Sequence, residues 1–222
     1  MYAAVARYAD EPRLLCLARV AAMLERRHFL AIATASVLVP HPAAAAPPLP
    51  AAERLNELGP EARVLAQRVG LWDVTETHWD SRGAAPVVTT GLVAERRMVG
   101  SLLQEFLRPP SDAAHAAVAR SDLLVFNRLD GRWDYVSFDT RVPVGLMPAW
   151  SSDRGTAGTI ELVFAPFATT GSGSTVTGQL LRMTQVIRFE SLRRDIKDQY
   201  FTMADGTGTK WLAHRYAYAR RS

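Results

Sequence analysis

Glu76 and His78 stand two residues apart in a run rich in β-formers, residues 71–79. At that spacing two side chains share one face of a strand. A carboxylate beside an imidazole is the smallest acid–base pair able to move a proton on a bound molecule. They are the two catalytic candidates of this chain. Glu105 and Asp139 are further acids inside strand-like runs, and at least two of the four would have to converge inside the barrel for an isomerase or hydrolase. Fuller catalytic patterns are missing from the sequence. It has no G-x-S-x-G nucleophile elbow and no pair of histidines at H-x-x-x-H spacing. Gly171-Ser172-Gly173-Ser174 lacks the lysine of a phosphate-binding loop. His115 lies in a polar stretch and reads as solvated. No metal site and no cofactor are expected.

Large rings point to binding instead. Trp72, Trp133, Tyr135, Trp150, Tyr200, Trp211, Tyr216 and Tyr218 are many for a chain of this size. With the polar groups His78, Glu105, Gln185 and His214, the rings Trp72, Trp133, Tyr135 and Tyr200 are the expected ligand-binding set. The expected partner is a small apolar or amphipathic molecule. The stretch from Arg141 to Trp150, with Pro143, Leu146, Met147 and Pro148, fits either a lid over a cavity or a contact with an envelope partner.

Something must hold these residues. Residues 60–69 read as one short helix, with Pro60 at its first position and Gly70 beyond its end. From Gly70 onward the texture is that of short strands: 71–79, 87–99, 101–108, 121–127, 132–140, 147–152, 159–164, 175–190, 196–204 and 209–220. Asp130-Gly131 and Asp205-Gly206 are hairpin cues between such runs. Leu181, Met183, Gln185, Ile187 and Phe189 alternate with Arg182, Thr184, Arg188 and Glu190, the pattern of a half-buried strand. In the last run Leu212, His214, Tyr216 and Tyr218 share one face. Many short strands in succession leave exposed edges unless the sheet closes. The expected fold is therefore all-β: a single antiparallel up-and-down barrel of eight to ten strands, preceded by a short helix.

The chain has 222 residues, a net charge of +4 and one cysteine, Cys16. The small excess of positive charge is not clustered, which argues against nucleic acid. One cysteine excludes a disulfide framework. Ahead of the barrel, Arg26-Arg27-His28-Phe29-Leu30 opens an apolar run that ends at Pro40, with small residues 43–46 behind it. Positive, apolar, small is the order of an export signal. The apolar run is too short to span a bilayer. The paired arginines followed by x-Phe-Leu resemble a twin-arginine signal. Residues 1–22 are expected to be an upstream extension before a true start at Met23, residues 23–45 the signal, 46–59 a proline-containing leader and 60–222 the barrel. Removing residues 1–45 takes away five arginines and three acids and lowers the net charge from +4 to +2. The exported protein, periplasmic or extracellular, would then hold no cysteine and no transmembrane segment.

Several short motifs resemble a bacterial family with a calycin-like barrel, akin to lipocalins, fatty-acid-binding proteins and nitrobindins. They are Leu65 to Val74 with its Gly70-Leu71-Trp72, Phe126-Asn127, Asp130-Gly131-Arg132-Trp133, Asp139-Thr140, and Lys210-Trp211 through Arg220. The likeness spans residues 60–221 and implies a fold more than a chemistry. It implies that Trp72 plugs one barrel end, with a basic residue of the last strand, Arg215 or Arg220, packed on it. The glycine-rich tryptophan signature of nitrobindins is missing, so haem on His214 is not expected.

Overall fold

The structure, a computed structural model, describes residues 59–110, 117–142, 144–156, 158–168 and 178–222. The segments read as extension and signal, the leader up to residue 58, His115, Pro143 and the loop at 171–174 lie outside the described residues.

Helix α1 (Pro60–Ala66) begins at a proline, whose missing N–H is no loss in the first turn. Glu61 adds a negative charge where the helix dipole favours one. Ala62 and Leu65 face the barrel and are buried. The helix stops short of the expected residue 69 because the chain turns at Gln67 and sends Arg68 inward.

Eleven strands follow: β1 (Gly70–His78), β2 (Val87–Val99), β3 (Leu102–Arg108), β4 (Arg120–Asn127), β5 (Arg132–Asp139), β6 (Leu146–Trp150), β7 (Thr159–Phe164), β8 (Phe167–Ala168), β9 (Leu180–Ser191), β10 (Arg194–Met203) and β11 (Trp211–Arg220). All pairings are antiparallel, and β11 returns to pair with β1 along Trp72↔Arg220 to His78↔His214. Ten strands thus close into an up-and-down barrel, while the two-residue β8 only adds to β9. β8 is the one strand the sequence pattern did not signal. Closure removes the free edges that a meander of this length would otherwise expose. Gly155, at φ +77°, enters the β6–β7 connection where an added Cβ would fall 2.5 Å from the Thr159 carbonyl oxygen.

The register shifts at three places, and two of these bear on the end of the barrel where β1 and β11 pair through His78 and His214. One bulge lies in β2, where Thr90 and Gly91 together stand opposite Thr75 of β1. The other lies opposite Gln199/Tyr200, where Ala213 is the extra residue of β11. An extra residue shifts the alternation by one. Leu212 therefore pairs with Tyr200, and Trp211 stands opposite Phe201. The expectation that Leu212 shares a face with His214 is corrected by this bulge.

The interior holds two apolar groups. Leu65, Leu124, Phe126, Trp133, Tyr135, Leu162 and Ile187 belong to the first. Trp72, Val74, Leu92, Leu107, Tyr216 and Tyr218 form the second. Trp72 is fully buried and donates its indole N–H to the Arg68 carbonyl oxygen at 3.0 Å. The guanidinium groups of Arg96 and Arg220 lie 4.7 and 5.7 Å from its ring centre. Arg215 does not take this place. It pairs with Asp198 at 2.7 and 3.0 Å, as does Arg188 at 2.7 Å, beside the outward-alternating positions of β9 and β10. The parity of β11 decides this: Arg220 follows Tyr216 and Tyr218 on the inner face, whereas Arg215 falls between inward positions. Among the described residues no helix is long and apolar enough to cross a membrane.

Candidate functional site

β1 and β11 run side by side, so their inward residues meet in register. Glu76 pairs with Tyr216, and His78 with His214. This alignment builds a site at the barrel end opposite α1. The Glu76 carboxylate takes a hydrogen bond from the Tyr216 hydroxyl at 2.7 Å and one from Arg141 at 2.9 Å. His214 Nδ1 lies 3.1 Å from its other contacted oxygen partner, Oε1, which it shares with Tyr216. Arg141 also clasps Asp139 at 2.8 and 3.0 Å. Burial alone would raise the Glu76 pKa, but the bonds from His214, Tyr216 and Arg141 overturn that and hold it well below the usual carboxylate range. A carboxylate so held is ionised, so His214 Nδ1 must be the donor in this pair.

The imidazole belongs to a stack of flat groups. His78 and His214 lie 5.8 Å apart, and His214 and Tyr216 lie 6.0 Å apart, tilted by only 7°. The Arg120 guanidinium sits 4.2 Å from the centre of the Tyr216 ring. Phe201 closes on His214 from β10 at 5.7 Å.

These groups wall a cavity of about 360 Å³. Its polar lining includes Glu76, Arg120, Ser137, Gln199, His214 and Tyr216, and its apolar lining Val142, Val144, Met147, Phe167, Met183 and Phe201. That volume falls near the lower end for small-molecule sites, which run to roughly 1,000 Å³.

Beneath the cavity lies a layer of buried charge. Glu105 receives Arg96 at 2.6 Å, Tyr218 at 2.9 Å, Lys197 at 3.1 Å and Arg120 at 3.4 Å. Asp122 receives Ser137 at 2.6 Å and Lys197 at 2.8 Å. Arg120 Nε is 3.1 Å from Asp122 but out of line for a hydrogen bond. Asp195 holds Arg68 and Arg96. Lys197 also reaches Tyr135 at 3.5 Å, so the layer ties both apolar groups together. With Arg141, Glu76 and Asp139 at the cavity, five cations and five carboxylates are matched inside the barrel.

That matching has a pH consequence. Burial would raise Glu105 and Asp122, but their cationic neighbours, Lys197 and Arg96 for the first and Arg120 and Lys197 for the second, lower both. A carboxyl depressed in the folded state contributes stability above its unfolded pKa of about 4 and loses it as pH falls. Lys197 is desolvated, which would lower it, but Asp122 and Glu105 raise it well above its ordinary value. Its contribution is therefore intact below about pH 10. Asp195, raised by burial, works in the opposite sense to the other acids but alone. Thermal melts are expected to be flat from about pH 6 to 9 and to fall steeply below about pH 4. A Tm that holds or rises toward pH 3 would contradict the ionised layer.

The expected site residues are divided by this geometry. His78 and His214 line the cavity. Glu105 and Tyr135 sit in the charged layer below it. Gln185 is fully buried and accepts a hydrogen bond at 2.9 Å from Gln199, which does line the cavity. Trp72 and Trp133 are in the α1 half, Trp133 bonding the Arg154 carbonyl oxygen at 2.9 Å. Tyr200 pairs with Thr184 and Leu212 on the outer face, under Lys210 at 5.0 Å. Of the acid–base pair read from the sequence, Glu76 bonds His214 rather than His78, whose own acid is Asp80 at 3.4 Å. The stretch from Arg141 to Trp150 divides as well: Leu146–Trp150 is strand β6, and Met147 lines the cavity with Arg141. Arg120, Ser137 and Gln199 were not singled out, Arg141 entered only as the start of a candidate lid, and Tyr216 only as one of the large rings. Ser137 and Asp139 share the face of Trp133 and Tyr135 along β5, a spacing that could have placed them inside.

No family model matches the chain, and no curated protein matches it. Among solved structures it is similar to the crystal structure of Rv2717c from M. tuberculosis, at 14% identity, over 75% of this chain and 100% of that one, with a TM-score of 0.45.

Proposed function

We propose that this chain is an exported barrel that binds a small amphipathic molecule in the cavity at the end opposite α1. The observation that carries this reading is the mixed lining of the cavity, with Met147, Phe167, Met183 and Phe201 alongside Arg120, Gln199, His214 and Tyr216. Such a surface suits a ligand with an apolar body and one polar end. Export rests on the sequence of residues 23–45.

Binding is favoured over acid–base catalysis by the state of Glu76. Both its oxygens are engaged, and its depressed pKa makes it a weak base. Glu105 and Asp122 are bonded in the layer beneath and do not line the cavity.

The test is native mass spectrometry of protein extracted without denaturant, followed by titration with an environment-sensitive apolar dye. A bound small molecule, or saturable dye binding with about one site per chain, is the expected result. An empty protein that also gives no dye signal would overturn the proposal.

A further inference from the structure

The cavity presents one polar atom whose role is fixed by its neighbours. His214 Nδ1 is committed to Glu76. Among the described residues its Nε2 has no hydrogen-bond partner, and the ring lines the cavity. In a neutral imidazole one nitrogen donates and the other accepts. With Nδ1 donating, Nε2 is an acceptor.

Charge narrows the ligand further. The five cations and five carboxylates in the barrel already balance. An ionised ligand would bring an unmatched charge into a largely buried space, which is costly. Shape adds a third constraint, because His78, His214 and Tyr216 present stacked flat rings with Phe201 at their side. Flat rings pack well against such a wall.

We infer that the ligand class is a neutral, ring-containing alcohol or phenol whose hydroxyl donates to His214 Nε2. The inference rests on the binding reading above and specifies its polar end. It makes His214 the residue that discriminates among amphipathic molecules of one shape. The groups facing His214 are Glu76 and His78 of β1, Tyr216 of β11, Gln199 and Phe201 of β10, and Arg141 through Glu76. Protonation of the ring would turn Nε2 from acceptor to donor and erase the preference.

Three naphthalenes of one shape test this by calorimetry on the full chain: 2-naphthol, 2-methoxynaphthalene and 2-naphthoate. At about pH 8, where an ordinary histidine is neutral, 2-naphthol is expected to bind about tenfold more tightly than 2-methoxynaphthalene, which cannot donate. 2-Naphthoate is expected to be weaker than 2-naphthol by about 100-fold or more. His214→Phe, which keeps a ring in the stack, is expected to bring the preference for naphthol over its methyl ether to about one. The wild-type comparison of naphthol with its ether carries the test if the variant does not fold. Equal binding of naphthol and its ether at pH 8, or tightest binding of naphthoate, would overturn the inference while leaving a binding barrel. Binding by none of the three, together with no dye signal, would remove both.

Discussion

Glu105→Gln is expected to lower stability by about 3–5 kcal/mol, the range for breaking a buried ion pair by removing one partner. Glu105 is 5 % exposed and takes hydrogen bonds from Arg96, Arg120, Lys197 and Tyr218. The substitution keeps size and shape but deletes the charge. Three cations with almost no access to water would then share only Asp122 and Asp195. For a domain of this length each kcal/mol shifts Tm by about 2–4 °C, so a fall of roughly 10 °C is expected in a thermal melt. The cost belongs to the unmatched cations rather than to a missing contact. Adding Lys197→Met should therefore return part of it, and a double-mutant cycle should show a coupling of about 1 kcal/mol or more. Strict additivity, or a Tm change of only a degree or two for Glu105→Gln alone, would contradict the described layer.

Trp72→Ala is expected to cost about 3–5 kcal/mol, as for other buried aromatic truncations. Its ring is fully enclosed and is contacted by the guanidinium groups of Arg96 and Arg220. The hole left behind cannot collapse easily, because Arg96 is fixed by Glu105 and Asp195, and Arg220 by the Gln67 and Val69 carbonyl oxygens. Loss of the indole N–H leaves the Arg68 carbonyl oxygen without that bond. Chemical denaturation would report the change as a lower midpoint at nearly constant slope. A loss below about 1 kcal/mol would mean that Trp72 does not plug this end.

Much of this architecture could be read from residue order. Gly70-Leu71-Trp72 marks the start of β1, and the alternation from Leu181 to Glu190 gives the inward face of β9 correctly through Phe189, which packs on the core. The last strand was harder. Its alternation is interrupted at Ala213, and a bulge leaves no mark in a pattern of apolar and polar letters. The charged layer was hidden for a different reason. Period-two reading assigns charged residues to solvent, yet Arg96, Arg120, Asp122, Asp195 and Lys197 all point inward. Only the pairing of strands distant in sequence brings their partners within reach: Lys197 is 75 residues from Asp122 and 92 from Glu105. Along β3, Glu105 does stand on one face between the buried Leu103 and Leu107, which is the local trace of an inward acid. No such trace marks Lys197, flanked on its face by Asp195 and Gln199. The pairing of Glu76 with His214 was likewise out of sight, since it depends on closure of β11 against β1.

That closure also gives the barrel a handle. β1 starts, and β11 ends, at the Trp72 end, where Arg221 donates its backbone N–H to the Leu71 carbonyl oxygen at 2.9 Å. Both covalent exits of the described domain therefore leave from one pole, while the cavity opens at the other. A tether, tag or surface linkage made through either exit holds the domain by its sealed pole and leaves the mouth turned away from the point of attachment. Immobilising the protein and offering it ligand are, by the geometry of a single strand pair, operations at opposite ends.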